Sequence, residues 1–218
     1  MKKSVLEIQN QIFNGTYTGQ VFSYGNKKIP RNTLIVNLSS AQNFPSKALG
    51  LCQVAQYCYA LKCERVYPNY RAKNLIVEQW IQHDSTKNIV RLMQVYIENS
   101  PEPIKYIRLD EAGDFVNQNQ VNQWNKIARY FWEQRGIRTY TYTARADLDF
   151  SNAKYILVNG SLPGITGAAR EFKCVPANIY DEMTTCKAKG TYHCPGDCTT
   201  CHMCFTAGFK GTIYCRRH

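Results

Sequence analysis

Between Leu34 and Pro176 apolar runs alternate with helical patterns, and this alternation leaves the chain few architectures. LIVNL (Leu34–Leu38), IKYIRL (Ile104–Leu109), IRTYTYT (Ile137–Thr143), YILVNG (Tyr155–Gly160) and FKCVP (Phe172–Pro176) read as short strands. Ala72, Leu75, Ile76 and Trp80 share one helical face, and Ile89, Leu92, Met93, Tyr96 and Ile97 share another. HDST (His83–Thr86) divides them, with Ser85 or Thr86 suited to cap the second helix. Val121, Trp124, Ile127, Ala128 and Phe131 make a third face. Asn117 or Asn119 suits its start and Gly136 its end. Strands and helices at this spacing predict βαβ units and a parallel sheet, because parallel neighbours need a crossover. The expected class is α/β, and the strand count suits a partial or full barrel better than two domains.

After about residue 180 the periodicity stops and the chain turns Cys-, Gly- and Lys-rich. HCPGDCTTCHMC (His193–Cys204) holds Cys194, Cys198, Cys201 and Cys204, spaced C-x3-C-x2-C-x2-C. Such spacings let one turn aim successive thiolates at a common centre, a pattern typical of iron–sulfur ligation. Zinc sites more often use two separated C-x2-C pairs, and Cys186 in place of Cys194 would spread the set that way. Zinc is therefore the alternative at this C-terminal site. With so few apolar residues, the tail is expected to need its metal to be ordered. A second group, Cys52, Cys58 and Cys63, follows the first strand as C-x5-C-x4-C. Three thiolates can hold a 4Fe–4S cluster with one open iron, or zinc with water; the bland alternative is three buried thiols. Cys174 and Cys215 read as spares, and His193, His202 and His218 as bystanders rather than ligands.

The charge and the termini bound the setting. A chain of 218 residues can bury a core without disulfide staples. The N-terminal MKKSVLEIQNQIFNG has no apolar run of signal-peptide length, and no stretch is long enough to span a membrane. A cytoplasmic, reducing location is expected, where clustered cysteines bind metal more often than they form disulfides. The formal charge of +11 raises nucleic acid as a partner. Basic residues are spread along the chain, however, and seven thiolates on two clusters would lower the charge while leaving it basic. Arg145 and Asp147 either bind a substrate anion or pair with each other. Asp110, Glu111 and Asp114 read either as a functional acidic loop or as a solvated one. The 15 tyrosines fall mostly at core or half-buried positions rather than forming a base-stacking platform.

Five segments occur in a telling order: the cysteine triad with CYA (Cys58–Ala60), RLDEAGDF (Arg108–Phe115), YTYTAR (Tyr140–Arg145), VNGSLPG (Val158–Gly164) and CPGDCTTCHMCF ending in IYCRRH. This order resembles the radical S-adenosylmethionine superfamily, and more closely the phage "gene product 88" family of radical-SAM-like iron–sulfur proteins. The resemblance implies a radical-SAM-like partial (β/α) barrel over residues 1–180, with a Cys-rich, cluster-binding tail over 181–218 packed on it. It places Cys52, Cys58 and Cys63 around a 4Fe–4S cluster whose open iron binds S-adenosylmethionine. It places Glu111, Gly113 and Asp114 at that cofactor's amino group, Ser161 facing the site, and the tail cysteines on an auxiliary cluster. In the superfamily the triad is usually C-x3-C-x2-C with an aromatic before the last cysteine; here Lys62 stands there, and Tyr57 and Tyr59 flank Cys58.

Three functions follow as expectations. The first is an iron–sulfur protein with one or two 4Fe–4S clusters, a radical-SAM type enzyme if S-adenosylmethionine is cleaved, served by an electron donor and acting on an unidentified substrate. The second is a non-enzymatic phage or mobile-element module with structural metal that binds nucleic acid or a host protein. The third is an electron carrier or sensor without S-adenosylmethionine.

Overall fold

In the computed structural model, which describes residues 7, 10, 11, 14, 16, 21–185 and 188–217, the apolar runs become neighbouring strands of one sheet. The strands are β1 (Ser23–Tyr24), β2 (Thr33–Val36), β3 (Tyr106–Leu109), β4 (Arg138–Thr143), β5 (Ile156–Gly160), β6 (Arg170–Val175), β7 (Thr191–His193) and β8 (Thr212–Arg216). Their order is β1-β2-β3-β4-β5-β6-β8-β7. β1 pairs antiparallel with β2, and every other neighbouring pair is parallel. The helices are α1 (Pro45–Ala48), α2 (Tyr59–Val66), α3 (Pro68–His83), α4 (Thr86–Glu98), α5 (Gln118–Arg135) and α6 (Ala177–Thr185). The expected α/β class is thus observed, as a mixed sheet of eight strands with six helices among the described residues.

Local chemistry sets the boundaries. The Ser85 hydroxyl accepts from Asn88 N at 3.2 Å and starts α4 after the HDST break. Asn117 Oδ1 accepts from Gln120 N at 3.0 Å and starts α5, while Gly136, at φ 66°, ends it in the left-handed region. All four residues of β2 are buried, as expected for a strand covered on both faces.

Alternate residues of each strand serve two different cores. Ile107, Leu109, Ile156 and Val158 face the helices, where Trp80, Ile89, Met93, Trp124 and Phe131 are fully buried. Burying one such side chain as Phe131 contributes about 1.5–3 kcal/mol. On the opposite face Tyr106, Tyr140, Tyr142, Leu157 and Phe172 meet Cys204 and Phe205 of the tail.

The tail departs from expectation. Its TYH and TIYCR segments become β7 and β8, and β8 inserts between β6 and β7. Phe205 and Ile213 bury completely, so the tail has apolar anchors that borrow the sheet's face as their core. Two contacts link opposite ends of the strand order. Cys198 N donates to Lys28 O at 2.8 Å, and the Arg217 guanidinium lies 3.9 Å from the centre of the Tyr57 ring. The sheet therefore curls around the tail loop. Among the described residues no helix is long and apolar enough to cross a membrane. The stretch MKKSVLEIQNQIFNG lies largely outside the described residues.

Candidate metal centre

The quoted motifs meet at the C-terminal ends of the parallel strands, where loops of an α/β sheet converge. Gly113, at φ 101°, lies so close to the β2 loop that a Cβ there would come within 2.5–2.8 Å of Ser39 atoms. Asp114 N donates to the Ser39 hydroxyl at 3.1 Å. The Asp114 carboxylate is buried, and accepts from the Thr143 hydroxyl at 2.6 Å, Phe115 N at 2.9 Å and Ala144 N at 3.0 Å. Burial holds its pKa above the ordinary carboxylate range even so. Asp114 thus ties the β3 loop to the end of β4. Ser161 N donates to Thr143 O at 2.7 Å, which places Ser161 on the same rim.

Asp110 and Asp114 are buried, not a solvated loop. Asp110 accepts from Leu38 N at 3.1 Å through one oxygen, and its other oxygen is buried without a hydrogen-bond partner. Burial, reinforced by the nearby Asp114, raises its pKa well above the usual value. Glu111 turns outward: its carboxylate accepts from Asn26 Nδ2 at 2.6 Å, and its carbonyl accepts from the Tyr59 hydroxyl. Arg145 pairs with Asp147 through two 2.7 Å contacts and also donates to Phe115 O and Val116 O. Its guanidinium is therefore committed to the loop rather than left for an anion.

The triad is only partly gathered. Cys52 and Cys58 pack on one small apolar cluster with Ala41, Phe44, Ala60 and Ala112. Burial raises the Cys52 thiol, aided by Cys58 and Asp114. Cys58 is the N-cap of α2, where the helix's partial positive charge favours anionic groups. Cys63 lies one turn into α2, outside that apolar cluster and within electrostatic reach of Tyr70.

The tail quartet is gathered. Cys204 is within electrostatic reach of Cys194, Cys198 and Cys201, and burial with those neighbours pushes its thiol up to about 12. Gly196 N donates to Cys194 Sγ at 3.4 Å, the Tyr192 hydroxyl is hydrogen-bonded to Cys201 Sγ at 3.1 Å, and the Tyr142 hydroxyl meets Cys204. The Arg108 guanidinium, 5.0 Å from the centre of the Tyr142 ring, reaches Cys198, and its buried Nε has no hydrogen-bond partner. Burial opposes its charge, but Tyr140, Tyr59, Tyr142 and Glu111 offset that and keep it cationic.

Cys174 and Cys215, read as spares, sit opposite each other on β6 and β8. The thiols of Cys194, Cys215 and Cys174 follow one another in a row, and Cys174 lies within electrostatic reach of both Cys194 and Cys52. No sequence signal marked these two, because only strand register brings them together. The nine described cysteines are free thiols. Among the described residues no three His, Cys, Asp or Glu side chains converge tightly enough to grip a single metal ion. A cubane cluster asks for a wider cage, since each thiolate binds its own iron. Cys186 and His218 lie outside the described residues.

Fold and site together define an α/β protein whose curled, mostly parallel sheet encloses a cysteine-rich tail. A family model described as Gene product 88 matches residues 20–164, more than half of the 218-residue chain. The chain belongs to the gene product 88 family, a phage gene product family. Neither curated protein sequences nor solved structures supplied a match.

Proposed function

We propose that this is an iron–sulfur protein of radical-SAM-like architecture, a partial (β/α) barrel with two cluster sites. Cys194, Cys198, Cys201 and Cys204 would hold one 4Fe–4S cluster, and Cys52, Cys58 and Cys63 a second with an open iron. The carrying observation is that Cys52 and Cys58 pack on one apolar cluster and Cys194, Cys198 and Cys204 on another, while Arg217, two residues beyond Cys215, stacks on Tyr57 beside Cys58 and joins the two areas. The thiol environment supports the assignment. Hydrogen bonds to Cys194, Cys201 and Cys204 and the half-buried Arg108 suit sulfur that carries negative charge. The contacts of Cys198 with Lys28 and of Arg217 with Tyr57 draw the sheet's ends together, as a partial barrel requires.

An open-iron cluster, when bound, supplies one-electron chemistry to S-adenosylmethionine. This chain's residues would position that cofactor. The backbone around Gly113 would face its amino group, with Ser161 on the rim, and Glu111 would have to turn in from its bond to Asn26 to join them. Asp114 holds the loop's shape from within, because its oxygens already accept three internal donors. That engagement favours a second reading, an iron–sulfur electron carrier or sensor that does not use S-adenosylmethionine.

Anaerobic reconstitution should yield a brown protein with the iron and sulfide of two 4Fe–4S clusters. Cys198→Ser with Cys201→Ser should remove about half of the iron, and Cys52→Ser with Cys58→Ser the other half. S-adenosylmethionine should alter the electron paramagnetic resonance signal of the open-iron cluster, and 5′-deoxyadenosine should form under reducing conditions. Iron without either effect selects the carrier reading; zinc without iron rejects both.

A further inference from the structure

The segment from Leu49 to Tyr67 exposes apolar rings and aliphatics that a folded chain normally hides. It carries five of the eight large, exposed hydrophobic side chains among the described residues, including Tyr57 at 50%, Tyr59 at 47% and Tyr67 at 61% exposure. Such clustering marks a binding surface rather than a random excess. A cleft of about 810 Å³ opens there, its lining including Tyr57, Cys58, Tyr59, Lys47, Lys62 and Arg65. None of its described lining residues is acidic.

The charge of this cleft is uncompensated for a definable reason. Lys62 and Arg65 lie three residues apart on α2 and so share a face. The one carboxylate of α2, Glu64, points the other way: it is buried and accepts from the Ser40 hydroxyl at 2.8 Å, Ala41 N at 2.9 Å and Asn74 Nδ2 at 2.9 Å. Both rings are also held in place. The Tyr59 hydroxyl is bonded to Glu111 O, and the Arg217 guanidinium stacks 3.9 Å from the centre of the Tyr57 ring. Fixed, half-exposed rings among cations are the elements of a stacking platform on a backbone track.

We propose that this cleft binds a single strand of nucleic acid, with phosphates on Lys47, Lys62, Arg65 and Arg217 and bases on Tyr57 and Tyr59. The rings select against a plain acidic peptide, which has no flat π-face to stack. They select against a duplex, whose bases are stacked on each other. The assignment rests on the cleft's rings and cations, and Cys58 on the same lining sets the strand beside the proposed open-iron cluster.

The test is fluorescence anisotropy of the purified full chain with roughly 12-nucleotide oligo(dT) and oligo(rU), matched to known single-strand site sizes. Binding to at least one probe is expected, weakening between about 50 and 200 mM salt. Lys47→Ala with Lys62→Ala and Arg65→Ala should weaken it about tenfold or more and make the log–log salt slope shallower by about 2. Tyr57→Leu should weaken it about fivefold or more while keeping the apolar bulk. Circular dichroism verifies that each variant folds. The equal-charge control Lys126→Ala with Arg129→Ala and Lys154→Ala should leave affinity within about twofold. No binding by the folded chain, an equal loss in the control, or equal affinity for duplex or polyglutamate would overturn the proposal.

Discussion

Asp110 is the one described non-glycine residue with positive φ, at 59°, and it sits at the end of β3. Its position is costly twice over. The left-handed backbone costs an ordinary residue roughly 1–2 kcal/mol, and one carboxylate oxygen is buried without a hydrogen bond. Because burial and Asp114 raise its pKa in the folded state, the native protein keeps a proton that the unfolded chain releases. Stability contributed by this group is therefore fullest below the unfolded value of about 4. It falls as pH climbs toward the raised folded value. Asp110→Asn should stabilise the protein at neutral pH and flatten the pH dependence of urea midpoints, since Asn tolerates the left-handed region and bears no charge. Asp110→Ala should destabilise at all pH values, because it loses the acceptor for Leu38 N and keeps the strained backbone. An Asn variant with the wild-type pH slope would refute this account.

At the level of elements, the tail loop between β7 and β8 is fastened by side chains of β6 and β5 in addition to its own backbone turns. Arg170 donates to Thr206 O at 2.8 Å and to Met203 O, and Asn159 Nδ2 donates to Cys204 O at 3.0 Å. Phe205 packs between them on Tyr106 and Tyr140, with ring centres 4.5 and 5.1 Å away. Charged hydrogen bonds of this kind contribute about 1.5–3 kcal/mol each. Arg170→Ala should therefore raise the rate of limited proteolysis within the 194–211 loop by about tenfold or more, before the sheet unfolds. Cleavage at the wild-type rate would mean that Arg170 does not fasten the loop. The same elements show what could be read from sequence. β2, β3, β4 and β5 were legible because parallel, doubly covered strands are apolar runs, and the caps at Ser85, Asn117 and Gly136 have distinctive chemistry. β7, β8 and α6 were not, since their short segments mix polar and apolar residues and bury only against a sheet already in place. The motif loops were legible as neighbours, whereas the inward turn of Asp114 and the thiol row through Cys174 and Cys215 depend on register and burial that only the assembled sheet creates.

For the molecule as a whole, the larger core and the tail cysteines lie on opposite faces of the sheet. The large core lies between the sheet and α3, α4 and α5 and contains no tail cysteine; the tail quartet meets only the smaller core on the opposite face. A small metal domain unfolds when its metal is withdrawn, because it has no other source of order. Here the tail has further sources of order in Phe205, Ile213, Arg170 and two strand pairings. Chelation of the anaerobic protein should thus leave the far-ultraviolet circular dichroism nearly unchanged and a single cooperative melt in place. Hydrogen exchange should rise in the 194–204 segment while β3, β4 and β5 stay protected. Metal binding to the native state alone would still add stability in proportion to the logarithm of its saturation, so the melt should move down without broadening. Loss of the cooperative transition on chelation would show instead that the cysteines, and not the helical face of the sheet, hold the fold together.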